Sequence, residues 1–446
     1  MDARQPAEII GSKRTSRRTV LTRSAQLGAA ISGVAASGGI TSILASAKAP
    51  VFLQDSAPSG KVKFLVYGEA AADQPVFDAF QAEHPDIELE VVGIEGTSWA
   101  GFADQVTTRI AGGESYDVVQ IATEGQRLFA SRGLIEPIDD LIERDAEEVD
   151  ALLADFHPNL VEWCNTLSSP DGQTYFLPGE FNTMAVWYNT EVFAAAGVAE
   201  PTAEWTWDQF LETATALTKP GEVYGMHVPS AYFVGIMPWL LTNGASPLNA
   251  DWTEGTVNTP EAIEAAAFMR QLIADGISPE PGGEFDAFAA VAQGQLAMVG
   301  GGKWPQPNFT ELGILDKIKI VPHPQKSGPG SPIGWNSYPI MKSTENREAA
   351  WALSKFYAGP TAAEYVQFQV PAQRSVAESE AYLSAAPEGI EVLYAALDYA
   401  TPVPGPDQGS IIQQDIEDTF AQILIGNLEP EAGLNDLNAK IQSNLG

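Results

Sequence analysis

The sequence predicts an α/β fold built on a parallel sheet, and two observations carry that prediction. Between residues 62 and 122 the pattern alternates strand, helix, strand, helix, strand, an order that places helices on the faces of a parallel sheet. The chain has 446 residues, 45% of them hydrophobic, a globular composition with length for two or three domains.

The elements follow in order. "VKFLVYG" (Val62–Gly68) is apolar enough for a buried strand. "QPVFDAFQAEHP" places Phe77 and Phe80 three residues apart, on one face of a short helix. "IELEVVGIE" (Ile87–Glu95) alternates and then becomes continuously apolar, as a second strand does. "SWAGFADQVTTRIAGG" reads as a helix with Ser98 as N-cap and Gly112 past its end. "YDVVQIA" (Tyr116–Ala122) is a third strand, and Asp117 is expected to cap the turn into it. Further helices are expected at Trp207–Leu217, Pro260–Asp275 and Phe285–Gln293, in "AAWALSKFYAG" and in two amphipathic segments that close the chain. "AMVGGG" and "IKIVPHP" read as short strands, and there is no internal repeat.

Charge is distributed unevenly. Residues 1–47 hold six Lys/Arg and two Asp/Glu, whereas the remainder holds 18 Lys/Arg and 56 Asp/Glu, a net of −38. Such a surface repels nucleic acid and anionic lipid. It points to solubility, as in a saline habitat, before it points to a cationic ligand. Cys164 is the only cysteine, so no intrachain disulfide forms, and four histidines without HExxH spacing offer no metal site. No cofactor is expected.

The first 47 residues resemble a twin-arginine export signal. Arg17–Arg18 follows Ser16, a Gly/Ala/Ser-rich apolar stretch comes next, and Ala45-Ser46-Ala47 offers a cleavage site. Residues 48–60 read as a linker. With no cysteine near the cleavage site a lipid anchor is excluded, so the expected product is a monomer, periplasmic or extracellular, exported by the twin-arginine machinery.

"GGGKWPQPNF" (Gly300–Phe309) joins three glycines to a tryptophan between prolines. A phosphate loop of the Walker type ends in Lys-Ser/Thr at a helix start. Here Lys303 runs into Trp304 and Pro305, so that reading fails. Gly301 and Gly302 are expected to let a ligand approach the backbone, and Trp304 to offer a stacking face.

From about residue 61 onward the chain resembles the extracellular solute-binding proteins that deliver sugars to ABC importers, the class that includes maltose-binding proteins. The resemblance rests on eight segments in family order: "FQAEHPDIELEVV", "IAGGESYDVVQI", "GLIEPIDDLI", "LPGEFNTMAVWYNTEVFAAAGV", "TWDQFLETATALT", "FAAVAQGQLAMVGGGKW", "REAAWALSKFYAGP" and "PAQRSVA". It implies a periplasmic-binding-protein type II-like fold, two α/β lobes joined by a multi-segment hinge with the cleft between them. The implied N-terminal lobe comprises 61–182 and 323–370, and the C-terminal lobe 183–322 and 371–446. Chain crossings are implied near Asn182–Ala185, Val321–Pro324 and Val370–Arg374.

Ligands of open parallel sheets sit beyond the carboxyl ends of the strands, which here carry Tyr67, Glu69, Thr123, Glu124 and the segment up to Trp304. Glu69 can accept hydrogen bonds from two hydroxyls, and Asn182 brings a donor and an acceptor to the expected hinge. Tyr188 and Asn189 are expected to hold a strand and a helix start. The resemblance adds Tyr232 and Trp239 as second-lobe aromatics, and Arg374 at a position where relatives contact ligand. Trp335, Asn336 and Tyr338 mix rings with an amide. The implied function is the binding component of an ABC importer, partnered by a carbohydrate and a membrane permease. The alternatives are the same receptor for a glycerol phosphodiester, a sugar acid or a polyamine, or a secreted glycoside hydrolase. The hydrolase needs two carboxylates about 5–5.5 Å or 6.5–9.5 Å apart.

Overall fold

A computed structural model describes residues 57–446, except Thr97 and residues 283–284. The twin-arginine signal and most of the linker lie outside the described residues. Strand β1 (Gly60–Tyr67) leads through the helix Gln74–Glu83 to β2 (Ile87–Ile94). β1 and β2 run parallel, from Gly60↔Ile87 to Tyr67↔Ile94. The helix Trp99–Ala111 is capped by Ser98, whose Oγ accepts from Gly101 N at 3.1 Å.

The third predicted strand is real but broken. β3 (Val118–Val119) pairs parallel with β1, which gives the sheet order β2-β1-β3. β4 (Ile121–Ala122) leaves that sheet and pairs antiparallel with β10 (Pro332–Ser337). Gln120 sits at the break. Its N–H still donates to Leu65 O, and its side-chain Oε1 accepts from Tyr67 N at 3.0 Å. Asp117 closes the turn, accepting from Lys63 N at 2.7 Å and from Thr344 Oγ1 at 2.5 Å.

β5 (Phe181–Thr183) pairs with β10, whereas β6 (Ala185–Asn189) lies in another sheet. Only Met184 separates them. That sheet has the order β7-β8-β6-β9, with β7 at Tyr224–His227, β8 at Leu296–Gly301 and β9 at Ile318–Pro322. The chain then returns to β10, and β11 (Thr401–Pro402) adds to β10 in parallel. Four strands from distant parts of the sequence therefore meet at the junction of the two lobes.

Two hydrophobic cores result, one around Phe64, Phe80, Phe102 and Phe129, the other around Trp207, Phe210, Trp239 and Phe420. β6 serves both, since successive strand side chains point to opposite faces. Ala185 and Trp187 enter the first core, Val186 and Tyr188 the second. Asn189 caps the next helix, accepting from Glu191 N at 2.9 Å. Among the described residues no helix is long and apolar enough to cross a membrane.

Candidate functional site

Between the lobes lies a cavity of about 630 Å3, within the range of small-molecule sites. Its walls come from the ends of β1 and β4, from β5 and β10, from the turn at Ala231–Val234, from Trp304 and from residues 365–369. The helix Gly409–Leu424 closes one side with Gln413 and Glu417.

Tyr67 ends β1 at the cavity. Its hydroxyl donates to Gly96 O at 2.6 Å, and its ring lies 4.4 Å from that of Trp99, tilted by 31°. Gly68 follows with φ of +83°, a left-handed turn that suits glycine and presents Glu69, exposed, at the mouth.

Strand parity decides which residues of β10 reach the cavity. Gly334, Asn336 and, beyond the strand, Tyr338 line it. Trp335 faces the other way, 1% exposed, and stacks on Trp163 at 6.4 Å. Sequence reading grouped Trp335 with Asn336 and Tyr338, but adjacent strand residues cannot share a face. Thr123 is likewise diverted, since its Oγ1 accepts from Trp335 N at 2.9 Å and fastens a helix start to β10.

Glu180 is the centre of the polar wall. Its Oε1 accepts from Tyr338 OH at 2.6 Å, from Asn336 Nδ2 at 2.8 Å and from Gln120 Nε2 at 3.4 Å. Among the described residues no donor reaches its Oε2. Tyr338 in turn stacks on Tyr357 at 3.8 Å. Asp73 lies close by, its carboxyl pushed up to about 6, first by burial and then by the charge of Glu180.

A second acidic pair surrounds Tyr232. Glu124, in the first turn of the helix Thr123–Ser131, has its carboxyl pushed up to about 7 by burial. Its Oε2 is enclosed and has no hydrogen-bond partner among the described residues. Glu417 Oε1 accepts from Tyr232 N at 2.8 Å and from Gln413 Nε2 at 3.2 Å. Burial raises the Tyr232 phenol above its ordinary range, and the charges of Glu124 and Glu417 add to that.

Trp304 is half-buried at the cavity wall, 6.2 Å from the ring of Phe233. The glycines before it do a different job from the one the sequence suggested. A Cβ on Gly302 would lie 2.4 Å from Trp304 Cζ3 and 2.5 Å from Asn182 Oδ1, and one on Gly301 would lie 2.4 Å from Pro305 Cγ. Both carbonyls accept from Trp187 Nε1. Gly301 and Gly302 are off the wall and admit neighbouring side chains. Asn182 lines the cavity with both ends of its amide engaged, accepting from Lys303 N at 2.9 Å and donating to Phe368 O at 3.2 Å.

Two further expected residues lie elsewhere. Trp239 is 1% exposed among Trp207, Phe210 and His323. Its helical turn aims it into the second core. Arg374 is exposed outside the cavity, 4.0 Å from Glu378. The structure thus brings Tyr67, Glu69, Glu124, Asn182, Tyr232, Trp304, Asn336 and Tyr338 together. It leaves out Thr123, Trp239, Gly301, Gly302, Trp335 and Arg374.

Sequence reading missed Asp73, Gln120, Glu180, Phe233 and Glu417. Gln120 and Glu180 lie inside segments already singled out, at a strand end and two residues before Asn182. Nothing local marks Glu417, which tertiary packing of the C-terminal helix delivers. The lining residues include no Lys, Arg or His. Lys303 is near but committed elsewhere, with Nζ donating to Val366 O at 2.6 Å and burial pulling its amine down to about 8. Among the described residues no group of His, Cys, Asp and Glu is placed to hold a metal ion.

Residues 67–364 match the profile of a family described as bacterial extracellular solute-binding protein. A protein of Brucella abortus (strain 2308) named as a binding protein is 27% identical over 417 residues, 87% of this chain and 94% of its own length. Among solved structures, an ABC substrate-binding protein of Listeria monocytogenes in complex with cycloalternan superposes with a TM-score of 0.76 at 23% identity, covering 86% of this chain and 98% of that one. A solute-binding protein of an ABC transporter from Thermotoga lettingae, bound with α-D-tagatose, gives 0.75 at 20% identity, over 87% and 100% of the two chains. The fold is that of a type II periplasmic binding protein, with two α/β lobes on a multi-segment hinge.

Proposed function

Because the chain belongs to the bacterial extracellular solute-binding protein family, we propose that it captures a carbohydrate in the inter-lobe cavity and delivers it to the permease of an ABC importer. One observation carries the reading. The cavity is walled by aromatic rings and by hydrogen-bonding carboxyl, amide and phenol groups, with no cationic side chain. Rings suit the C–H faces of a sugar, and the polar groups suit its hydroxyls. An anionic solute would find no counter-charge. The solved relatives carry an oligosaccharide and a monosaccharide sugar, in keeping with this class of ligand.

In this reading Trp304, Tyr67, Tyr232, Asn336 and Tyr338 contact ligand, with Glu69, Glu124 and Asn182 on the polar side. The lobes are 61–182 with 323–370 and 183–322 with 371–446, and residues 1–47 direct twin-arginine export to a site where the protein acts as a monomer. Ligand touches both lobes only when they close, so it draws the population toward the closed form. Shifting an open-to-closed ratio from 99:1 to 1:99 requires about 5.5 kcal/mol of differential binding, within reach of several hydrogen bonds and a stacked ring. The closed form then docks on the permease.

A thermal-shift screen over mono-, di- and oligosaccharides, glycerol phosphates and sugar acids tests this. A neutral sugar that raises the melting temperature supports it, and a shift with the anionic solutes alone overturns it. One observation favours a second reading as a hydrolase: Asp73, raised to about 6, stands near a second carboxyl in the cavity, as a general acid does. Chromatography of disaccharides incubated with the protein separates the two, since turnover overturns the receptor reading.

A further inference from the structure

The cavity carries more acid than hydroxyl recognition requires. Its ionisable lining comprises Glu69, Asp73, Glu124, Glu180 and Glu417, without Lys, Arg or His, and the only other titratable lining groups are tyrosines. The whole chain is acidic, and some acids elsewhere find cations. Asp145 meets Arg144 and Lys355, Asp140 and Glu136 meet Arg347, and Glu200 meets Lys319. Among the described residues, none of the five in the cavity forms an ion pair.

Glu124 is the sharpest case. Its Oε2 is enclosed at the cavity wall with no donor among the described residues. A buried carboxylate oxygen without a partner is costly to leave so. Glu417 shares the surroundings of the Tyr232 phenol with it. Glu124 comes from the helix Thr123–Ser131 and Glu417 from the helix Gly409–Leu424, which packs into the second core. A hydroxyl placed there satisfies lone pairs but brings no positive charge to a wall lined by acids and by no Lys, Arg or His. An ammonium group does both jobs, because it has three donors and a positive charge. Tyr232, Phe233 and Trp304 line the same end of the cavity, and ring faces attract cations.

We propose that the ligand is a sugar or polyol bearing a protonated amine, whose ammonium sits between Glu124 and Glu417 while its hydroxyls face Asp73 and the free oxygen of Glu180. The proposal rests on the carbohydrate-receptor reading and narrows it. Glu124 belongs to the proposed N-terminal lobe and Glu417 to the proposed C-terminal lobe, so the ammonium would engage both.

Calorimetric titration of the full chain tests this with matched pairs: cellobiose against the β-1,4-linked glucosamine dimer, glucose against glucosamine, and spermidine as an amine without a sugar. The amino sugars are expected to bind at least about tenfold tighter than their neutral partners. Added NaCl should weaken them and spare the neutral sugars. Glu124→Gln should erase the preference of amino over neutral sugars, with a melting curve of the free variant reporting that it folds. Neutral sugars binding as tightly as amino sugars overturn the inference and leave the receptor reading standing. Spermidine binding alone keeps the ammonium site and overturns the sugar. A preference that survives both Glu124→Gln and Glu417→Gln overturns the placement, and no binding across the whole series overturns both.

Discussion

The phenol of Tyr338 donates to Glu180 Oε1 at 2.6 Å, and the same oxygen accepts from Asn336 and Gln120. Three buried donors thus depend on one carboxylate oxygen. Truncation by Glu180→Ala is expected to cost about 3 kcal/mol in chemical denaturation, since three donors lose their shared acceptor. Tyr338→Phe removes one donor and leaves the oxygen served by two others, so its cost should be about 1 kcal/mol.

Two tryptophans should separate binding from folding. Trp304→Ala is expected to lower ligand affinity by about 2 kcal/mol, roughly thirtyfold by titration, with the free protein still folded. Trp239→Ala should instead cost about 3–5 kcal/mol of stability, because that ring is 1% exposed in the second core. An unchanged affinity in the first variant removes Trp304 from the site.

Gly302→Ala forces a Cβ to within 2.4 Å of the Trp304 ring and 2.5 Å of Asn182 Oδ1. No side chain fits there without movement, so both groups must shift. Affinity should fall by about tenfold or more although Gly302 touches no ligand. A crystal structure of the variant would show the displaced indole, and an unmoved ring with wild-type affinity contradicts the expectation.

Glu124 gives a pH signature in the absence of ligand. Burial raises its carboxyl from 4.5 to about 7, so the folded state binds the proton more tightly than the unfolded state does. Below about pH 4.5 the carboxyl is protonated in both states and costs nothing. As pH rises toward 7 the unfolded state ionises first, and stability is lost across that window. Glu124→Gln lacks the penalty, so its stability relative to wild type should climb from pH 4.5 to 7 and level off, gaining up to about 3 kcal/mol. Melting temperatures of the two proteins across that range check the sign.

Arg374→Ala should change neither ligand affinity nor stability beyond about 0.5 kcal/mol. The guanidinium is exposed, with a 4.0 Å contact to Glu378 as its ion pair. Titration with the best sugar ligand and a denaturation curve decide it.

Periodicity was a good guide wherever one element answered to one core. The helix Trp207–Leu217 and the first two strands lie where apolar spacing puts them, because the helix packs one face into one core and each strand stays within one sheet. It misled where tertiary context splits a segment. Tyr116–Ala122 looks like one strand, yet Val118–Val119 and Ile121–Ala122 serve different sheets, and nothing in seven residues states which partner each half will meet. Aromatic rings were the least legible feature, since Trp239, Trp304 and Trp335 differ in the direction their rings take, which residue type does not state. Trp335 could have been set apart from Asn336 by strand parity alone, whereas Glu417 required the full path of the chain.

The junction strands carry a mechanical consequence. β4, β5 and β11 all bond to β10, so the connection is a narrow hydrogen-bonded ribbon of several strands. A ribbon of this kind bends across its thin dimension more readily than it shears along its hydrogen-bonded strands. If the lobes open and shut as proposed, the bend falls on this ribbon, and the rings and acids of either jaw travel with the strand ends that carry them.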